Sequence, residues 1–198
     1  MRPTQILMDE HRVIEVVLSC LEKIVHEAAN DRKLNESSAN QAIDVIRTFA
    51  DKCHHGKEEN HLFVSLVNKG LPSQGGPVGQ MLLEHTHGRE FVQGMAESVA
   101  GASAGNETAL SQFARSANGY VQLLREHIGK EDNVLFPMAD RLLNDAEQNQ
   151  LLEAFHAVES NDMGKGTHSK YLAIVLALAK QYGVPAEHIG KGVSGCGH

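Results

Sequence analysis

The chain of 198 residues is 41% hydrophobic and 22% charged, and its formal net charge is −7. This length predicts one domain, or one domain with a small appendage, and the negative charge argues against a nucleic-acid-binding surface. No window of about 18 apolar residues occurs, and the N-terminus is charged where a signal peptide would be apolar, so we expect no membrane partner. The three cysteines form no CxxC motif, which favours a reduced, cytoplasmic location over a disulfide framework.

Apolar residues recur at steps of three and four along most of the chain, which predicts amphipathic helices and no strand. Gly70, Pro72 and the GGP at 75–77 end the second helix, and the small residues of AGASAGNE separate the third helix from the fourth. The four long helices are predicted at residues 4–29, about 36–69, 78–99 and 107–143. Two shorter helices follow, one beginning at a cap provided by Asp145 and one covering residues 168–183.

These elements predict an all-α fold, because four long helices joined by short turns leave no segment for a sheet. We expect an up-down-up-down four-helix bundle over residues 1–145 and a C-terminal helical extension over residues 146–185 that packs on it. The glycine-rich residues 186–198 are predicted to form a flexible tail.

One ten-residue string is written twice in the chain. Residues 54–63 read HHGKEENHLF and residues 127–136 read HIGKEDNVLF, with seven of the ten positions identical. Each copy contains a glycine, Gly56 or Gly129, inside a predicted helix, where glycine costs about 1 kcal/mol relative to alanine. The glycines indicate either a close approach of two helices or space for a small ligand.

Each copy of the string carries a histidine and a glutamate four residues apart, and such residues share one face of a helix. The pairs His54/Glu58 and His127/Glu131 fall on the apolar face of their helices. Burial of these groups without a partner would be strongly unfavourable, whereas a metal cation would bind their lone pairs. The pairs therefore predict a metal site.

The repetition extends upstream, because Glu10-His11 and Glu84-His85 stand on the helix that precedes each string. Two helical hairpins would then bring four histidines and two glutamates to a similar depth. The predicted metal ligands are His11, His54, Glu58, His85, His127 and Glu131. Glu10 and Glu84 are expected to point outward. His55 aligns with Ile128 in the second copy, so the repeat does not require it as a ligand.

This double array resembles the hemerythrin-like (HHE cation-binding domain) family. The resemblance implies a four-helix bundle with two non-haem iron ions, bridged by Glu58 and Glu131 and by an oxo or hydroxo group when oxidised. Imidazole and carboxylate ligands also suit zinc or manganese, and it is the resemblance that favours iron. Ferritin-like proteins use ExxH pairs, whereas the paired ligands of each string here follow the HxxxE pattern.

The chain departs from the oxygen-carrying members of the family at one ligand. Those members have an HxxxH pair on the third helix, whereas the residue four positions after His85 is Arg89. We expect Glu159 or His168, in a stretch that resembles a lid over the site, to replace the missing fifth histidine.

The resemblance predicts a protein that binds O₂, or a related small molecule such as NO or peroxide, at a carboxylate-bridged di-iron centre. Two alternatives stay open: a di-iron oxidoreductase of the ferroxidase, catalase or peroxidase type, and an iron-handling or sensing protein. One site can serve several functions, so the residues do not decide whether the protein is an enzyme. The sequence does not indicate which oligomeric state the protein adopts.

Overall fold

The computed structural model describes residues 1–162, 166–187 and 189, and in these residues it contains six helices and no strand. The helices are α1 (Pro3–Asp31), α2 (36–68), α3 (Gly76–Ser103), α4 (107–142), α5 (145–162) and α6 (Thr167–Tyr182). The all-α class is therefore confirmed. The division into a bundle and an extension stays a prediction, and most of the predicted tail lies outside the described residues.

Helix α2 and helix α4 are not regular α-helices throughout. In α2, π-helical turns cover Ile46–His55 and Glu58–Leu62, and in α4 one covers Glu131–Leu135. Both copies of the repeated string contain such a turn. A π-helical turn widens the helix and changes the direction of the side chains that follow it, and such turns are frequent at functional sites.

Asparagine side chains cap the N-termini of three helices. Asn35 accepts a hydrogen bond from the Ser38 amide, and Asn106 accepts one from the Ala109 amide. Asn144 and Glu147 form a reciprocal capping box at the start of α5. The predicted cap at Asp145 is thus wrong by one residue, because Asp145 is the first helical residue.

Two apolar clusters lie along the helices, and the larger one is built mainly from α1 to α4, with α6 packed against it. The smaller cluster contains Leu7 of α1, Leu66 of α2, Val78 of α3 and Phe136 of α4. On α1 and α3 its residues precede those of the larger cluster, and on α2 and α4 they follow them. On each of these helices the residues of the predicted metal site lie where the two clusters meet.

Within the described residues, no helix has the combination of length and apolar character needed to cross a bilayer. Helix α6 instead buries one apolar face, with Val175 and Leu178 almost inaccessible to solvent, and turns Leu176 outward. Tyr171 fixes this helix to α2 by donating a hydrogen bond of 3.0 Å to Asp44 Oδ2.

We expect Leu178→Ala to lower the free energy of unfolding by about 2–5 kcal/mol, because it removes a side chain that is 1% exposed and leaves a cavity. Leu176→Ala, in the same helix but 43% exposed, should change it by less than about 0.5 kcal/mol. Urea unfolding of both variants measures the difference. Equal effects would contradict the packing of α6.

Candidate metal centre

A layer of buried histidines and carboxylates separates the two apolar clusters. It forms two groups of potential metal ligands, and within each group one ligand atom per residue lies within 4.8 Å of all the others. The first group is His55, Glu58, His85 and His127, and the second group is His11, His54, Glu58 and Glu131. All members are buried. The six residues predicted as ligands thus converge, and Glu58 belongs to both groups.

The two glutamates contact imidazoles of both groups. Glu131 Oε2 lies 3.2 Å from His11 Nε2 and 3.2 Å from His127 Nε2. Glu58 Oε1 lies 3.6 Å from His54 Nε2, and its Oε2 lies 3.5 Å from His85 Nε2. Each carboxylate is therefore placed where it could bridge two cations.

Four of the imidazoles are oriented by carboxylates behind them, each of which accepts a hydrogen bond from Nδ1. The pairs are His11–Asp132 (2.7 Å), His54–Glu10 (3.0 Å), His85–Glu59 (2.7 Å) and His127–Glu84 (2.9 Å). Nδ1 of each ring thus faces its carboxylate, and Nε2 is the ring nitrogen that is left to bind a metal ion. This arrangement of carboxylate behind histidine is the usual one around metal ligands in proteins.

Glu10 and Glu84 are among these carboxylates, so the expectation that they point outward is wrong. They are 3% and 5% exposed, because each faces the neighbouring helix of its hairpin rather than solvent. The lysine of each repeated string, Lys57 or Lys130, donates a hydrogen bond to the same carboxylate. The lysine and the acidic residue two positions after it (Glu59 or Asp132) thus have matching roles in both strings, since each helps to hold a histidine in place.

His55 supplies a fifth imidazole, which the alignment of the two strings did not predict. It is 4% exposed, and its ring stacks on that of His85 with a centroid distance of 3.8 Å. The π-helical turn Ile46–His55 allows the adjacent His54 and His55 both to face the interior. The His-His doublet in the first string was the available signal for this residue.

Arg89, the residue four positions after His85, contacts two carboxylates. Its guanidinium donates hydrogen bonds to Asp51 through Nε (2.9 Å) and Nη2 (2.7 Å), and Nη2 also donates to Glu59 at 2.7 Å. Asp51 in turn lies 3.3 Å from His55 Nδ1. Arg89 thus orients the carboxylates that contact two histidines of the first group.

The structure places Glu159 and His168 outside both groups. Glu159 Oε1 accepts a hydrogen bond of 2.6 Å from Lys57, and the His168 ring packs 5.4 Å from that of Phe49. The repeated glycines also have no close neighbour. A Cβ at Gly56 would meet its nearest atom at 4.0 Å, and one at Gly129 would meet none within 4 Å. The interpretation as a close helix approach is therefore wrong.

Buried polar atoms without a hydrogen-bond partner are concentrated in this layer. Among the described residues they include His11 Nε2, His55 Nε2 and both oxygens of Glu58 and Glu131. Burial and the neighbouring Glu131 carboxylate raise the pKa of Glu58 well above its usual value. Burial also disfavours the charge of Glu131, but His127 and His11 outweigh it and hold the pKa of that carboxyl well below its usual value. The four carboxylate oxygens are thus buried without a hydrogen-bond partner, and divalent cations would satisfy them.

We expect the stability of the metal-free protein to depend on Glu10 and to fall in acid. Burial alone would raise the pKa of Glu10, but Lys57 and His54 lower it from 4.5 to about 2. A carboxyl with a lowered pKa stabilises the fold above its unfolded pKa, and this contribution is lost as the pH falls toward 2. Glu10→Gln should therefore cost on the order of 3 kcal/mol at pH 6 and roughly half or less at pH 3. Urea unfolding at both pH values measures this, and a pH-independent difference would contradict it.

Comparison with known proteins identifies the family of the chain. Residues 2–139 match the family model of the hemerythrin HHE cation-binding domain. One uncharacterized protein of Mycobacterium bovis and two of Mycobacterium tuberculosis are each 22% identical over 178 residues, which is 90% of this chain and 69% of the relative. No solved structure matches the chain. Because the family model covers well over half of its residues, the chain belongs to the hemerythrin HHE cation-binding domain family.

Proposed function

We propose that the protein is a non-haem di-iron protein that binds O₂, or a related small molecule such as NO or peroxide, at a carboxylate-bridged centre. The observation that carries this proposal is the placement of Glu58 and Glu131 between two sets of imidazoles with their oxygens unpaired. His55, His85 and His127 would bind one ion, and His11 and His54 would bind the other. His55 takes the role that the sequence assigned to Glu159 or His168.

The choice of iron rests on the family and on the ligand chemistry. Five imidazoles and two carboxylates suit iron, manganese or zinc, and none of the ligands is a thiolate. Iron, when bound, supplies electrons and an open coordination position for a small molecule. The residues of the chain would orient each ligand through its Nδ1 and exclude bulk water with the apolar clusters on either side.

A cleft of about 190 Å³ provides a path for small molecules toward the first group. His55, His85 and Tyr120 line its buried part, and Arg47 and Arg89 line its exposed part. A water molecule occupies about 30 Å³ in the liquid, so the cleft has room for several diatomic molecules. This space beside the imidazoles supports a small-molecule ligand.

We also infer that the helices of residues 1–145 form the up-down-up-down bundle that the sequence predicts. The smaller apolar cluster precedes the larger one on α1 and α3 and follows it on α2 and α4, so successive helices run in opposite directions. In such a bundle, side chains from facing helices meet in the core and can hold a metal pair. A cytoplasmic location, in which the buried Cys20 and Cys53 stay reduced, agrees with this proposal.

Anaerobic reconstitution with ferrous iron tests the proposal. We expect about two iron ions per chain, and addition of O₂ should produce a visible absorption spectrum that evacuation reverses. Rapid oxidation that evacuation does not reverse would instead favour a ferroxidase or another oxidoreductase. Release of O₂ from added peroxide over many turnovers would favour catalase-like activity. Failure to bind more than one ion per chain would contradict a di-iron centre.

The role of His55 has its own test. Because its Nε2 faces the first group without a partner, His55→Ala should weaken the binding of one iron by at least tenfold and lower the stoichiometry toward one. His61→Ala, in the same helix and outside both groups, is the control and should retain two ions. Metal analysis after gel filtration distinguishes them. Two tightly bound ions in His55→Ala would show that this imidazole is not a ligand.

A further inference from the structure

The buried lysine of the first repeated string has an environment that its counterpart lacks. Lys57 has no exposed side-chain surface and contacts two carboxylates, Glu10 and Glu159. Lys130, at the matching position of the second string, is 41% exposed and contacts Glu84. The two lysines therefore hold matching carboxylates, but only the first of these lysines also contacts a carboxylate of α5.

Helix α5 is the element that creates this difference. Phe155 and Glu159, one turn apart on α5, both face Lys57, whose Nζ lies 5.8 Å from the centre of the Phe155 ring and 2.6 Å from Glu159 Oε1. The cavity beside Glu159 measures only about 10 Å³, at the lower limit for one water molecule. The contact between α5 and Lys57 is thus direct, and it joins the buried Lys57 to a Glu159 side chain that is 15% exposed.

A continuous chain of hydrogen bonds leads from α5 to the metal centre. Glu159 accepts from Lys57, Lys57 donates to Glu10 Oε1, and Glu10 Oε2 accepts from His54 Nδ1 at 3.0 Å. Burial disfavours the charge of Lys57, but the carboxylates, chiefly Glu10, raise its pKa above the usual value and keep it charged. One ammonium group is therefore shared between a carboxylate of α5 and the carboxylate that orients His54.

We propose that Glu159 is a positioning residue for the second group, and that helix α5 and the metal ion held there are coupled through Lys57 and Glu10. This inference rests on the proposed metal centre. Loss of the Glu159 charge leaves Lys57 bonded to Glu10 alone, which changes how strongly Glu10 accepts from His54 and so the basicity of the imidazole. Coupling of this kind is reciprocal, so binding of the ion also orders α5.

Stepwise anaerobic titration of Glu159→Gln with ⁵⁷Fe(II) tests the inference. Both the wild type and the variant should bind two ions, but one of the two affinities should fall roughly tenfold in the variant, the lower end of the usual effect of residues behind a ligand. One of the two Mössbauer signals should change while the other does not. Glu153→Gln removes the same charge from the exposed side of α5 and should leave both affinities and both signals unchanged.

Hydrogen exchange provides a second measurement that a merely structural role would not affect. In the wild type, loading with iron should slow exchange at residues 145–159, and in Glu159→Gln this slowing should be largely lost. Unchanged affinities, or an equal fall of both, would overturn the role of Glu159 while two bound ions leave the proposed function intact. A wild-type chain that binds no iron pair would overturn both.

Discussion

Two buried carboxylates placed side by side determine the structure of this protein. Glu58 and Glu131 are both inaccessible to solvent, and all four of their oxygens lack a hydrogen-bond partner. Such an arrangement is strongly unfavourable unless positive charge lies between the oxygens. Four of the imidazoles around them have Nδ1 engaged by other carboxylates and turn Nε2 toward Glu58 or Glu131. Cations are the partners that satisfy both sets of groups at once.

The repeated string encodes more than the ligands. Its histidine and glutamate face the centre, and its lysine donates a hydrogen bond to the carboxylate behind one imidazole. The acidic residue two positions after the lysine, Glu59 or Asp132, accepts a hydrogen bond from an imidazole of the other half. Each copy thus orients histidines of both hairpins, which explains why the string is conserved between the two halves as a unit. The halves differ in two ways: His55 matches Ile128 in the second string, and Glu159 contacts Lys57 but not Lys130. These two differences would make the ions inequivalent.

The helices and the convergence of six residues could be predicted from the sequence, because spacing by four residues and the recurrence of one pattern report directly on helix faces. His55 could not be predicted in this way, since a π-helical turn changes the face on which it lies. The inward direction of Glu10 and Glu84 depends on which neighbouring helix each one meets, and periodicity along a single helix carries no information about that. Glu159, predicted as a possible replacement for the fifth histidine, lies outside both groups and contacts Lys57 instead.

The most direct test of the metal pair is anomalous diffraction from crystals of the iron-loaded protein. Two iron peaks are expected about 3.5–4 Å apart between Glu58 and Glu131. Nε2 atoms of His55, His85 and His127 should lie about 2 Å from one iron, and those of His11 and His54 about 2 Å from the other. A single peak, or peaks bound outside these seven residues, would contradict the account.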